Sequence, residues 1–268
     1  MSFDAESHVH YRIANAPILE HPFPHFYATD VFPADFYAEL RRRLPEQAGY
    51  TRIDETGTVA KGMYKERFVC SLDELEGREF ESGAGTSFWA DLSSWLLGDS
   101  FARLILGRFR PALRERFGPD NEPRIETDAR LVRDFTNYAI SPHTDSPRKV
   151  VSLLFYLPQD DAKRHLGTSI YAPRNPDFRC EGTGHHPFEL FKKVATMEYR
   201  PNTLFAFFKT ERAFHGVDPI ADAEVVRDLL LYNIYVTKVV TSRRPPEAAK
   251  PGFAWPWQKS QAGRVTQD

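Results

Sequence analysis

The chain has 268 residues, 41% of them apolar and 27% charged, with a formal net charge of −2. That length can bury a sizeable core without disulfides or structural metal, and the near-neutral balance excludes the strong basic field of a nucleic-acid or anionic-membrane binder. Two cysteines, Cys70 and Cys180, stand far apart with no CxxC or zinc spacing and are expected to be reduced thiols.

The N-terminal stretch MSFDAESHVHYR is polar and acidic, with no signal-peptide core, and no apolar run approaches the length of a bilayer span. A cytoplasmic location is expected. PHFYATDVFPADFYAELRRRLP reads as a short strand, a turn, and a helix from about Pro33 to Leu44. Pro33 suits a first helical turn and Pro45 stops the helix. Phe36, Tyr37 and Leu40 recur at helical spacing, and Arg41, Arg42 and Arg43 load the end where cations complement the dipole. Residues 50–88 are charged and dotted with glycine; they read as strands and loops of unsettled order, with room for a mobile flap. TSFWADLSSWLLGDSFARLILGRFRPALRERF continues as two or three helices, with Trp89, Leu92, Leu96 and Leu97 on one stripe and Phe101, Leu104, Ile105 and Phe109 on another.

From about Arg124 the texture changes. IETDARLVRDF, KVVSLLFYLP, GTSIYAP, KKVATMEYR, TLFAFFK and VVRDLLLYNIYVT are short β-rich runs separated by turn signals, which predicts an all-β sandwich or barrel rather than a parallel α/β sheet. The tail from Thr241 is rich in proline and polar residues and is expected to run extended over the surface, with Phe253, Trp255 and Trp257 pinning it or serving a partner chain. The chain divides into a helical and mixed support region, 1–124, a β core, 125–240, and the tail, 241–268, all within one structural unit.

Within the β region, SPHTDSPRK (residues 141–149) sets His143 and Asp145 two positions apart, so in an extended segment their side chains point the same way. Two ligands hold a metal poorly. ERAFHGVDP offers a third, His215, directly after the run TLFAFFK. Two histidines and one carboxylate on one face of a metal leave coordination positions open, the arrangement of non-haem Fe(II) oxygenases. HxD alone is a weak signal; Arg227 strengthens it. It lies twelve positions after His215 on a strand face shared with Val225, Leu229 and Leu231. An inward arginine is costly unless it meets an anion, and its planar fork suits a carboxylate. A salt bridge to Glu224 or Asp228 is the lesser reading, because Asp228 is adjacent and should face the other way. A dicarboxylic co-substrate would chelate the metal at one end and meet Arg227 at the other.

The ordered set HTD, His215 and Arg227, embedded in short strands, resembles the Fe(II)/2-oxoglutarate-dependent dioxygenases, specifically their prolyl-hydroxylase-like branch, over roughly Ile125 to Lys238. The resemblance implies an α+β protein whose core is a double-stranded β-helix, or jelly roll, with a helical N-terminal support. It implies that His143, Asp145 and His215 hold iron and that Arg227 binds the far carboxylate of 2-oxoglutarate. It also implies that Tyr156, in LLFYLP, lies near that carboxylate and that Thr168, in GTSIY, faces the pocket. Some branches carry a hydroxyl residue two positions after the arginine; here that position is Leu229, so Tyr156 or a water must supply the partner hydroxyl. The implied reaction consumes O2 and 2-oxoglutarate, yields succinate and CO2, and hydroxylates an aliphatic C–H bond of a small molecule such as an amino acid, sugar or natural-product intermediate. The carboxylate of Asp145 argues for hydroxylation or desaturation over halogenation. Two alternatives stand: the same chemistry on a protein or peptide side chain, and a cupin-like metal- or sugar-binding module without oxygenase activity, since fold does not dictate function.

On the substrate side, Arg133 and Asn137 precede the metal motif, Arg148 follows it with Lys149, and Arg212 sits near His215. His185 and His186, in the loop EGTGHHPF, are expected to have no metal role. His8 and His10 are read as solvated, and His21, His25 and His165 as surface or packing residues. The expected partner is a small-molecule substrate, with no nucleic acid and no membrane; the aromatic tail and helical half would suit a homodimer.

Overall fold

The structure, a computed structural model, describes residues 5–81, 88–182 and 184–241. Its strands are β1 (His25–Thr29), β2 (Thr51–Arg52), β3 (Arg67–Ser71), β4 (Asn121–Phe135), β5 (Ile140–His143), β6 (Lys149–Tyr156), β7 (Thr168–Pro173), β8 (Phe191–Met197), β9 (Thr203–Phe208), β10 (His215–Val217) and β11 (Val226–Thr241). A seven-stranded sheet has the order β1-β9-β6-β11-β4-β3-β2, and a four-stranded sheet the order β5-β10-β7-β8. Every pairing is antiparallel. From β4 to β11 the chain winds between the sheets: β4, β6, β9 and β11 lie together in the large one, and β5, β7, β8 and β10 form the small one. This interleaving is a double-stranded β-helix, the jelly roll that the resemblance implied.

The helices are α1 (Ala5–Asn15), α2 (Ala34–Arg42), α3 (Leu72–Glu81), α4 (Phe88–Leu96), α5 (Asp99–Arg108) and α6 (Arg110–Phe117). Among the described residues no helix is long and apolar enough to cross a membrane. The stripe residues Trp89, Leu92, Leu96, Phe101 and Ile105 pack on one face of the large sheet, against Leu131, Leu153, Phe155, Leu204, Leu230 and Tyr232. The other face meets the small sheet, where Val69, Val132, Tyr156, Phe205, Phe207 and Leu229 pack with Ile170 and Val217. Burial on both faces explains why β6 and β9 read as nearly unbroken apolar runs. Alternation is otherwise strict: Leu229 faces the small sheet and Leu230 the helices.

Two features depart from the expectation. The segment 50–88 contains a helix, α3, started by a reciprocal cap in which the Glu74 N–H donates to Ser71 Oγ (3.2 Å) and the Ser71 N–H to Glu74 Oε2 (3.2 Å). The strands β5 and β10 are too short and too polar to announce themselves. The short strand and the strands of the mixed segment expected in the first 124 residues join the large sheet as β1, β2 and β3, and β4 begins at Asn121. The tail beyond Thr241 lies outside the described residues.

β10 carries Gly216 for a steric reason. A Cβ there would lie 2.4 Å from the Ile140 carbonyl oxygen, so only glycine lets β10 approach β5 this closely. That approach brings two distant histidines together.

Candidate metal centre and its cavity

The register of β5 and β10 sets His143 directly opposite His215, with ring centroids 4.4 Å apart. Asp145 follows just past the end of β5, its Oδ1 4.0 Å from His215 Nε2. One ligand atom from each of the three residues lies within 4.8 Å of the others. The Nδ1 of His143 is 3.0 Å from the Ser141 carbonyl oxygen, and that of His215 is 3.0 Å from the Ala213 carbonyl oxygen. A carbonyl only accepts, so both Nδ1 atoms carry the proton and both Nε2 lone pairs are bare for a metal. Burial lowers the pKa of each imidazole, most strongly at His143, where the neighbouring His215 adds to it. Both rings are therefore neutral near neutral pH, and a metal need displace no proton from them.

The carboxylate is equally prepared. Burial alone would raise the Asp145 pKa, but the Lys149 ammonium, helped by the Ser152 hydrogen bond, holds the group below the ordinary carboxylate range. Lys149 Nζ donates to Oδ1 (3.0 Å) and Ser152 Oγ to Oδ2 (2.8 Å). Two neutral nitrogens and one oxygen anion, oriented by backbone and side-chain partners, fit a divalent first-row metal such as iron. Ser152→Ala removes one of the two groups that aim the carboxylate. It should weaken divalent metal binding by about 10- to 100-fold in a Mn(II) titration; an unchanged affinity would deny Ser152 that role.

The metal motif is braced from a second loop. Thr144 Oγ1 donates to the Cys180 carbonyl (2.8 Å), and Gly182, at φ +113°, sits where a Cβ would be 2.1 Å from the Asp145 carbonyl oxygen. The same loop carries His185 to within 4.6 Å of the His143 ring, centroid to centroid. There His185 Nε2 meets the Tyr64 hydroxyl at 2.5 Å, joining this loop to the one before β3. The sequence reading gave His185 no part; the structure puts it on the wall of the cavity that holds the triad.

That cavity has a volume of about 480 Å³. On its large-sheet wall, β3, β4 and β11 align Arg67, Asp134 and Arg227 in one cross-strand row. Arg67 grips Asp134 with two bonds (Nε to Oδ1 2.7 Å, Nη2 to Oδ2 2.9 Å), and Arg227 Nη1 donates to Oδ2 (2.6 Å). Arg227 is fully buried, with Nε on the Leu166 carbonyl (2.7 Å) and Nη2 on Thr168 Oγ1 (3.3 Å). Its in-chain counter-ion is thus Asp134, not Glu224 or Asp228. Thr168 lines the cavity. Tyr156 stands behind that wall: its hydroxyl accepts the Thr168 N–H (3.0 Å), and its ring centroid is 5.7 Å from the Arg227 guanidinium.

None of the four residues expected on the substrate side lines this cavity. Arg133 alternates to the opposite face of β4, bonds Asp228 (2.7 and 3.2 Å) and stacks on Tyr50. Asn137 is exposed in the turn after β4, at φ +71°. Arg148 is exposed and pairs with Glu126 at 2.5 Å. Arg212 reaches the Pro176 carbonyl and lines a separate cavity with Arg116 and Lys209. Arg130, Asn233 and Tyr235 line the metal cavity instead. The signal for Arg130 and Asp134 was present: they share the face of Val132 at strand spacing.

No protein-family model matches the chain, and no curated protein matches it. Solved structures similar to it include a Pseudomonas putida prolyl-4-hydroxylase, 15% identical, over 85% of this chain and 98% of that one, with a TM-score of 0.47. Another is the epimerase SnoN in complex with Fe3+, alpha ketoglutarate and nogalamycin RO, 14% identical, over 93% and 91% of the two chains, with a TM-score of 0.45. HygX from Streptomyces hygroscopicus, with nickel, 2-oxoglutarate and hygromycin B bound, is 14% identical over 91% and 92%, with a TM-score of 0.39.

Proposed function

We propose that this chain is an Fe(II)- and 2-oxoglutarate-dependent oxygenase that hydroxylates an aliphatic C–H bond of a small molecule. The observation that carries the reading is the convergence of His143, Asp145 and His215, with both Nε2 atoms bare, in a cavity that also presents the buried guanidinium of Arg227. The three triad residues would hold the iron, and Arg227 with Thr168 would face the distal carboxylate of 2-oxoglutarate. When bound, the metal, co-substrate and O2 supply the oxidising chemistry and leave succinate and CO2.

The chain supplies position and shelter. The Ser141 and Ala213 carbonyls fix the two imidazoles, and Lys149 and Ser152 fix the Asp145 carboxylate. Val132, Leu154, Leu229 and Leu231 make part of the wall apolar, while Arg130, Asn233 and Tyr235 offer polar contacts to a substrate. The cavity volume of about 480 Å³ is that of a site for a small molecule. The rival reading, a metal- or sugar-binding module, would suit an Arg227 that faces solvent; Arg227 is fully buried.

The test is turnover. Protein purified without oxygen, loaded with Fe(II) and given 2-oxoglutarate and O2, is expected to form succinate, and more of it when an accepted substrate is added. Panels of amino acids, sugars and free peptides separate a small-molecule substrate from a peptide one. Absence of succinate, with no 2-oxoglutarate binding to the Mn(II) form, would leave the binding module as the better description.

A further inference from the structure

The row Arg67, Asp134 and Arg227 holds two cations and one anion. Asp134 is fully buried and Arg67 mostly so. One positive charge is therefore left over on the cavity wall, a costly arrangement unless an anion completes it. Arg227 has three of its five N–H donors engaged, by Leu166, Asp134 and Thr168. In Arg67, Nε and Nη2 hold Asp134, and Nη1 takes no hydrogen-bond partner among the described residues. Its guanidinium lies over the Tyr138 ring, 4.3 Å from the centroid. The Tyr138 side chain is fully buried, lines the same cavity, and its hydroxyl has no hydrogen-bond partner among the described residues. A buried hydroxyl with no acceptor costs free energy that a ligand oxygen would recover.

We propose that Arg67 and the Tyr138 hydroxyl bind the distal carboxylate of 2-oxoglutarate beside Arg227, with Asp134 as the positioning residue that holds the two guanidiniums in one row. The assignment rests on the co-substrate reading above. It extends the anchor beyond the eight-stranded roll, since Arg67 belongs to β3 and Tyr138 to the turn between β4 and β5. A carboxylate seated there balances the row and gives Arg67 Nη1 and the Tyr138 hydroxyl the acceptor each lacks. Both bonds are made to an ionised oxygen, the stronger class of hydrogen bond.

The experiment is calorimetry on the full chain loaded with Mn(II), comparing 2-oxoglutarate with oxalate, which chelates a metal but has no distal arm. Arg67→Met and Tyr138→Phe should each weaken 2-oxoglutarate by about tenfold or more, the loss of one hydrogen bond to a charged group. Affinities for Mn(II) and oxalate should stay at wild-type values, and Arg67→Lys should recover part of the loss. Wild-type 2-oxoglutarate affinity in both variants, or equal losses for the two ligands, would overturn this assignment alone. A wild-type protein that binds oxalate but not 2-oxoglutarate would overturn the co-substrate reading and this assignment with it.

Discussion

His143→Ala abolishes tight divalent metal binding and brings succinate formation to background. The variant removes one of two bare imidazole nitrogens and leaves His215 with Asp145, a carboxylate already shared with Lys149 and Ser152. Two ligands, one of them partly neutralised, cannot hold an ion against water. The fold should survive, because His143 ends β5 and neither core cluster includes it. Thermal midpoints of the metal-free wild type and variant are therefore expected to agree. They separate when metal is added, because a ligand stabilises only a state that binds it, by about 2.7 kcal/mol at a free concentration 100 times Kd. Arg148→Ala, at an exposed pair outside the cavity, serves as the control and keeps wild-type metal affinity. Metal binding by His143→Ala at the wild-type level, or undiminished succinate, would remove the basis of the proposed function.

The second large effect concerns stability. Asp134→Asn is expected to destabilise the protein by about 3–5 kcal/mol, the usual cost of breaking a buried ion pair from one side. Asp134 is fully buried and is the carboxylate between Arg67 and Arg227; asparagine keeps the shape and one acceptor but removes the charge. Two guanidiniums then face each other with no compensating anion. For a chain of this size the loss corresponds to a fall in Tm of roughly 10 °C. Surface pairs offer the contrast: disrupting Arg148–Glu126 should cost about 1 kcal/mol or less. A melt of Asp134→Asn that coincides with wild type would show that water reaches this row and that its charge is screened. The row would then lose its claim on a ligand carboxylate as well.

Much of this protein was legible from local order along the chain. Six of the β-rich runs became β4, β6, β7, β8, β9 and β11, because residues buried on one or both faces of a strand must be apolar at period two or continuously. The spacing of His143 and Asp145 needed only the geometry of an extended backbone. The cap that starts α3 was also written locally, in Ser71 and Glu74, and went unread among the charges around it. The short β5 and β10 carry too few residues for any period.

What only the tertiary structure decided is which distant groups meet. Arg227 and Asp134 are 93 positions apart, and Arg67 and Asp134 are 67 apart. Their meeting depends on the register between strands, which no single segment encodes. Register also decides that Asp134 meets Arg67 and Arg227 on one face of the sheet and Arg133 meets Asp228 on the other, since a shift of one residue exchanges the two faces. Tyr138 and His185 join the cavity through a turn and a loop, whose paths follow from what they pack against. Chemistry within two residues is a local property of the backbone; convergence at a metal and its cavity is a property of how the sheets pair.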